Sequence, residues 1–264
     1  MGIPKRIHYF WFGKKELSKQ AQKCIKSWEK YCPGYEIIRW DEDNFGIDDN
    51  DYVKEAYHAG KWAFVTDYGR LKVLYDYGGI YMDTDVELIA PIDSFLSHHA
   101  FSGFEDDSHI PTAIMGAKAR HPWIRFLLEY YRNSHFVNED GSFCYKTNVE
   151  IITEMTAKKY QITLDNRKQT FGDGVTLYPK EYFCPKDYGT GEIHLTENTV
   201  CIHHFSGSWH SKEEQILSGY KGKWRFFGYI HMYAYLTFDA LRTGGIRKLI
   251  EKIRKKVMKW KRND

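Results

Sequence analysis

The chain has 264 residues, with 42% apolar and 28% charged types, a globular composition that excludes a disordered or fibrous protein. Its formal charge of +3 is unevenly spread: nine Lys or Arg stand against two acidic residues between Gly244 and Asp264, which leaves the remainder net acidic. A net acidic body gives no reason to expect nucleic acid as a partner.

In chain order, Arg6 to Trp11 reads as a short strand ended by Gly13. Ser18 then caps a helical stripe of Ala21, Cys24, Ile25 and Trp28, which Pro33-Gly34 closes. Tyr35 to Trp40 is a second strand, Asp41 to Asp51 an acidic loop, and Lys61 to Tyr77 a long helix with Phe64, Leu71, Leu74 and Tyr75 at helical spacing. Gly78-Gly79 stops that helix and Ile80-Tyr81-Met82 resumes as strand. This alternation predicts the α/β class, a mainly parallel sheet covered by helices that takes its ligands at the carboxyl ends of its strands. Farther on, Pro122 to Arg132 and Asn148 to Tyr160 read as helices, and Val200 to Phe205 alternates like a strand. No repeat or linker marks a boundary before the basic tail, so the predicted division is one domain over 1–243 and a tail over 244–264.

The sharpest chemical feature is Asp83-Thr84-Asp85, placed between the strand Ile80 to Met82 and Val86-Glu87-Leu88. Two carboxylates at that edge suit Mg²⁺ or Mn²⁺, hard cations that keep positions open for substrate phosphates. The pattern alone is common: 18 Asp in a chain of this length give about one such pair by chance. Asp41-Glu42-Asp43 and Asp49-Asn50-Asp51 are two others, in a segment where solvated charge is the simpler account. Carboxylates that follow an apolar strand are costly unless used. Asp67 and Arg70, three apart on the preceding helix, share a face and can pair with each other.

The stretch Asp67-Tyr-Gly-Arg70, Leu74, Gly78-Gly-Ile-Tyr81-Met-Asp83-Thr-Asp85 resembles the core motif of DxD glycosyltransferases of the OCH1-like mannosyltransferase and bacterial capsular-polysaccharide type (family 32-like), a core shared with clostridial glucosylating toxins. The resemblance implies a GT-A-like, Rossmann-type nucleotide-sugar fold. It gives Asp67 and Arg70 the donor sugar, and Asp83 and Asp85 the metal and the nucleotide diphosphate. Ile3 to Gly13 is similar to the family's first strand, whose Trp lies against the base, here Trp11 with Phe10 and Tyr81 beside it. Tyr178 to Pro185 resembles a Tyr-Pro...Phe-x-Pro segment, and Glu197 to Trp209 a closing His-His...Ser-Trp motif. In the latter, strand alternation sends His203 and His204 to opposite faces, so one alone can join the metal, with His203 preferred. Ser208 and Trp209 are expected in a lid over the nucleotide. The regions of Ile110 to Met115 and Thr147-Asn148 fall where acceptor recognition is expected.

The expected activity is metal-dependent transfer of a hexose from a nucleotide sugar, UDP-linked, to a glycan or lipid-linked acceptor in cell-surface polysaccharide synthesis, with retention implied by the resemblance. Two alternatives stay open: a non-catalytic nucleotide-sugar-binding subunit of an envelope assembly complex, and a metal-dependent phosphodiesterase. Five cysteines at scattered spacings, no Asn-x-Ser/Thr sequon and no long apolar run predict a cytoplasmic protein. Ile246, Leu249, Ile250, Ile253, Val257 and Trp260 recur at helical spacing among the tail's basic residues. Such a helix suits peripheral attachment to the inner face of the cell membrane, packing on the domain being the alternative.

Overall fold

A computed structural model describes residues 2–111, 113–207 and 225–243, and in the last stretch the side chains at 227 and 229–238. The chain divides into two units, Met1–Ser206 and Gly207–Asp264. The first opens with β1 (Arg6–Phe10), α1 (Lys19–Tyr31) and β2 (Glu36–Trp40). Ser18 accepts the Ala21 N–H at the start of α1, and Ala21, Cys24 and Trp28 turn inward from its one apolar face. Then follow α2 (Asp51–His58), α3 (Trp62–Tyr77), β3 (Gly79–Met82) and β4 (Val86–Leu88). β5 (Ala100–Gly103), β6 (Ile114–Ala117), α4 (Pro122–Leu128), α5 (Asn148–Tyr160), β7 (Gln169–Phe171), β8 (Val175–Tyr178), the one-turn α6 (Lys180–Phe183) and β9 (Cys201–His203) complete the unit.

Seven strands form one sheet in the order β2-β1-β3-β6-β5-β8-β7. β1 pairs parallel with β2 and β3, and β5 with β8, while the contacts of β6 with β3 and β5 and of β7 with β8 are antiparallel. Five of the seven strands therefore run one way, β6 and β7 being the reversed pair, which is the mainly parallel α/β sheet the alternation predicts. β4 leaves that sheet and pairs antiparallel with β9 in a second, two-stranded one.

Two expectations change. The run read as an acidic loop up to Asp51 passes into α2, whose Asn50 cap accepts the Val53 N–H and whose Tyr52, Val53 and Ala56 are buried. The strand expected over Val200 to Phe205 is shorter, Cys201–His203. α3 is lined with buried residues on several sides, Val65, Asp67, Arg70, Leu71, Val73 and Leu74 among them, so its charged pair lies inside the protein. In the second unit, α7 (Arg225–Thr243) buries Met232 and Leu236 and exposes Phe227, Tyr229, Ile230, Tyr233 and Phe238. Among the described residues no helix is long and apolar enough to cross a membrane. The 243/244 boundary and the basic tail lie at and beyond the end of the described residues.

Candidate active site

The site begins with a tight helix-to-strand turn. Gly78 has φ +65° and Gly79 φ +122°, regions that side chains other than hydrogen rarely adopt. A Cβ on Gly79 would also stand 2.9 Å from both Arg6 O and His8 Nε2, so only glycine lets β3 slide in beside β1. His8 locks this turn. Trp40 Nε1–H donates to His8 Nδ1 at 3.1 Å, which leaves Nε2–H to donate to Gly78 O at 2.8 Å. Burial lowers the pKa of His8, favouring the neutral ring these bonds require.

Beyond Met82, Asp83 N–H donates to Ala113 O and Val86 N–H returns to Asp83 O. The chain thereby turns out of the main sheet into β4, whose Val86 lies opposite His203 of β9. That register brings His203 Nε2 to 3.5 Å from Asp85 Oδ1. One ligand atom each from Asp83, Asp85 and His203 falls within a 4.8 Å cluster. His204 faces away: its Nε2 meets Glu87 Oε2 at 2.8 Å, and Lys23 binds the same carboxylate.

Charge in this trio is strongly coupled. Burial alone would raise Asp85, but the His203 ring and the hydrogen bonds from Ser206 hold its carboxyl far below the usual range. Burial likewise opposes charge on His203, yet Asp85, with Asp83 and Glu105, raises its pKa. His203 Nδ1 is buried without a hydrogen-bond partner among the described residues, in contrast to His8, both of whose ring nitrogens are engaged. Two carboxylates and an imidazole, with an imidazole nitrogen left unsatisfied, form a donor set that fits a divalent cation, Mn²⁺ better than Mg²⁺ because nitrogen is among the donors.

Asp67 and Arg70 join this cluster from α3. Arg70 Nη2 lies 3.1 Å from Asp67 Oδ1, Nη1 lies 3.4 Å from Asp83 Oδ1, and the guanidinium sits 4.6 Å over the Tyr81 ring. Tyr81 Oη in turn donates to Asp83 Oδ1. The pair is buried, with side-chain exposures of 5% and 11%, so its energetics are those of an interior ion pair and not of a surface contact. Burial pushes Asp67 up to about 7 against the pull of Arg70. The Asp67 backbone carbonyl accepts from Asn148 Nδ2 at 3.4 Å, and Asn148 Oδ1 accepts from Tyr131 Oη.

The expected nucleotide-lining residues separate. Trp11 is part-buried and donates Nε1–H to Lys15 O at 2.8 Å. Phe10 is core: it packs on Phe12, Trp40, Phe45 and Tyr81, and a Cβ on Gly69 would stand 2.6 Å from its ring. Phe10 thus backs the site and does not line it, because an even-numbered position of β1 points to α3. Tyr81 is buried, and only its hydroxyl and ring face reach Asp83 and Arg70. Ser208, Trp209 and Thr112 lie outside the described residues. Asn148 is buried and serves Asp67. Sequence reasoning passed over Glu105, just past the end of β5. Burial raises its pKa, and its carboxylate feels His203 and Asp83. Its only sequence signal is that it opens the acidic run Glu105-Asp106-Asp107, just after the buried β5 and Phe104.

Residues 18–102 match the family model described as glycosyltransferase sugar-binding region containing DXD motif, and Asp83-Thr84-Asp85 lies within the matched stretch. Among curated proteins, the chain is 31% identical over 135 residues to inositol phosphoceramide mannosyltransferase 3 of Schizosaccharomyces pombe (strain 972 / ATCC 24843), covering 50% of this chain and 37% of the relative. It is 28% identical to inositol phosphoceramide mannosyltransferase 2 of the same organism, over 48% of this chain and 38% of that one. The match thus spans well under half the length of these relatives. Among solved structures, PaToxG glycosyltransferase has a TM-score of 0.47 at 17% identity, covering 60% of this chain and 69% of that one. The galactosyltransferase LgtC, in complex with donor and acceptor sugar analogs, has a TM-score of 0.41 at 15% identity, covering 78% and 90%.

Proposed function

We propose that this chain is a metal-dependent, GT-A-type glycosyltransferase that moves a hexose from a nucleotide sugar, UDP-linked, to a glycan or lipid-linked acceptor, with retention, in cell-surface polysaccharide synthesis. The observation that carries the reading is the convergence of Asp83, Asp85 and His203 within 4.8 Å, with Arg70 linking Asp83 to Asp67. The relatives named as mannosyltransferases of inositol phosphoceramide support mannose as a sugar to try and a phosphate-bearing lipid as an acceptor to try.

A Mn²⁺ or Mg²⁺ ion held by Asp83, Asp85 and His203 would supply positive charge where the departing diphosphate gathers its negative charge. The protein's own groups do the rest. Ser206 N–H and the His203 ring keep Asp85 ionised and aimed. Tyr81 Oη and Arg70 orient Asp83 through Oδ1. Asp67, fixed by Arg70, presents its second carboxylate oxygen to donor hydroxyls, and Trp11 offers a ring face to the base. Ser208 and Trp209 are assigned to a cover that excludes water from the labile sugar phosphate. The basic tail is assigned to the inner face of the cell membrane, where it would hold the enzyme, a cytoplasmic one, beside a lipid-linked acceptor.

The deciding experiment incubates a panel of nucleotide sugars, GDP-mannose included, with the protein and Mn²⁺ or with chelator, and scores nucleotide diphosphate release and thermal shift. One donor should be turned over with metal and spared by chelator. Turnover of phosphodiesters with no donor accepted would favour the phosphodiesterase reading, and binding without turnover the non-catalytic subunit.

A further inference from the structure

Phe205, immediately after the His-His pair, has φ +54°, a left-handed conformation that is strained for any side chain beyond glycine and that persists only when its surroundings hold it. Asp85 supplies the hold. Its carbonyl accepts the His204 N–H at 3.0 Å and its Oδ2 the Ser206 N–H at 2.7 Å. The strained residue is thereby tied to the carboxylate pair, and its ring packs at a tilt against His203 at 4.1 Å between centroids.

Tyr188 stands beside it, its ring nearly perpendicular to that of Phe205 at 5.3 Å between centroids. It sits on a small ribbon closed by the Lys186 to Ile193 bridge and by Asp187 N–H to Glu192 O. Lys186 Nζ fastens that ribbon to the strand end by donating to His204 O at 2.8 Å. Tyr188 itself is 64% exposed. A large aromatic left in solvent, yet fixed from both sides at the rim of a polar site, has the form of a stacking surface and not of a core residue.

We propose that Tyr188, backed by Phe205, forms a shelf on whose exposed ring face a hexopyranose ring of the acceptor stacks its apolar C–H face. This rests on the glycosyltransferase reading above. The side of the shelf argues for the acceptor: it reaches the carboxylate pair through His203 and Asp85, whereas Asp67 and Arg70, assigned to the donor sugar, reach it through Asp83, and the base is assigned to Trp11. The ring left without a surface is the acceptor's.

The test is saturation-transfer NMR of methyl α-mannopyranoside and methyl α-glucopyranoside on the full chain with Mg²⁺ and UDP or GDP, beside titration of the nucleotides. Wild type should saturate the ring C–H protons of a hexoside. Tyr188→Ala should weaken that binding about tenfold with nucleotide affinity unchanged, and Tyr188→Phe should restore it. Hexoside binding that survives Tyr188→Ala, or is absent from wild type, overturns the shelf, as does an equal loss of nucleotide affinity. Hexoside binding that is lost in the variant, in a protein that binds neither nucleotide nor nucleotide sugar, leaves the shelf standing and removes the enzymatic reading instead.

Discussion

Arg70 Nη1 lies 3.4 Å from Asp83 Oδ1, so the helix that precedes the strand and the motif that follows it share one buried guanidinium. Removing that guanidinium leaves the buried Asp67 and the part-buried Asp83 without their counter-charge. Arg70→Ala is therefore expected to destabilise the fold by about 3 to 5 kcal/mol. Arg70→Lys keeps the charge but not the fork that spans both acids, and should fall between. Urea unfolding of the three proteins checks this; a loss under about 1 kcal/mol for Arg70→Ala would mean that the pair behaves as an exposed one.

Asp85→Asn should lower turnover by about 10² or more, since a lost metal ligand forfeits several kcal/mol of charge stabilisation. Asparagine can still accept the Ser206 N–H that Asp85 Oδ2 now accepts, so the variant should stay folded by circular dichroism. Near-normal turnover in the folded variant at limiting Mn²⁺ would falsify the metal assignment.

The pH response of the metal-free protein follows from the two shifts in the trio. Asp85, depressed below its ordinary 3.8, contributes stability that is present above that value and is lost as pH falls toward its folded pKa. His203, raised above its ordinary 6.5, contributes stability that is complete below 6.5 and is lost as pH climbs through its folded pKa. The pair thus stabilises most between about pH 4 and 6.5 and less above it. Melting temperatures from pH 5 to 8 should show this decline, and His203→Asn should flatten it. Metal affinity should run oppositely, rising with pH as the imidazole loses its proton; a Mn²⁺ affinity independent of pH across that range would take His203 out of the ligand set.

Sedimentation with anionic and neutral liposomes addresses the tail. Full-length protein should bind anionic vesicles at low salt and release them as salt rises, because each surface Lys or Arg contributes about 1 kcal/mol through a screened attraction. A chain ending near Thr243 should lose that binding. If both versions fail on anionic vesicles, the tail is packing.

What the sequence by itself determined is local. Ser18 as a cap, the Gly78-Gly79 stop, the length of α3, the α/β alternation and the position of Asp83-Thr84-Asp85 after a strand all follow from backbone preferences within a few residues. α2 was equally local, since Asn50 is a good cap ahead of Tyr52, Val53 and Ala56, but the surrounding acidic residues masked it. The short strands β5, β6 and β8 are buried along their whole length and lack the alternation that marks a half-exposed strand, so they left little trace. The tertiary structure decided everything that depends on distant pairing. The register of β4 against β9 sets His203, not His204, beside Asp85, because a shift of one residue would reverse every side chain. The packing of α3 against β1 and β3 puts Phe10 in the core and encloses Asp67 and Arg70, turning an i to i+3 pair that could have been solvated into a buried charge network. Glu105 and Tyr188 enter the site's surroundings from separate loops, 83 residues apart in the chain, which no short-range preference encodes.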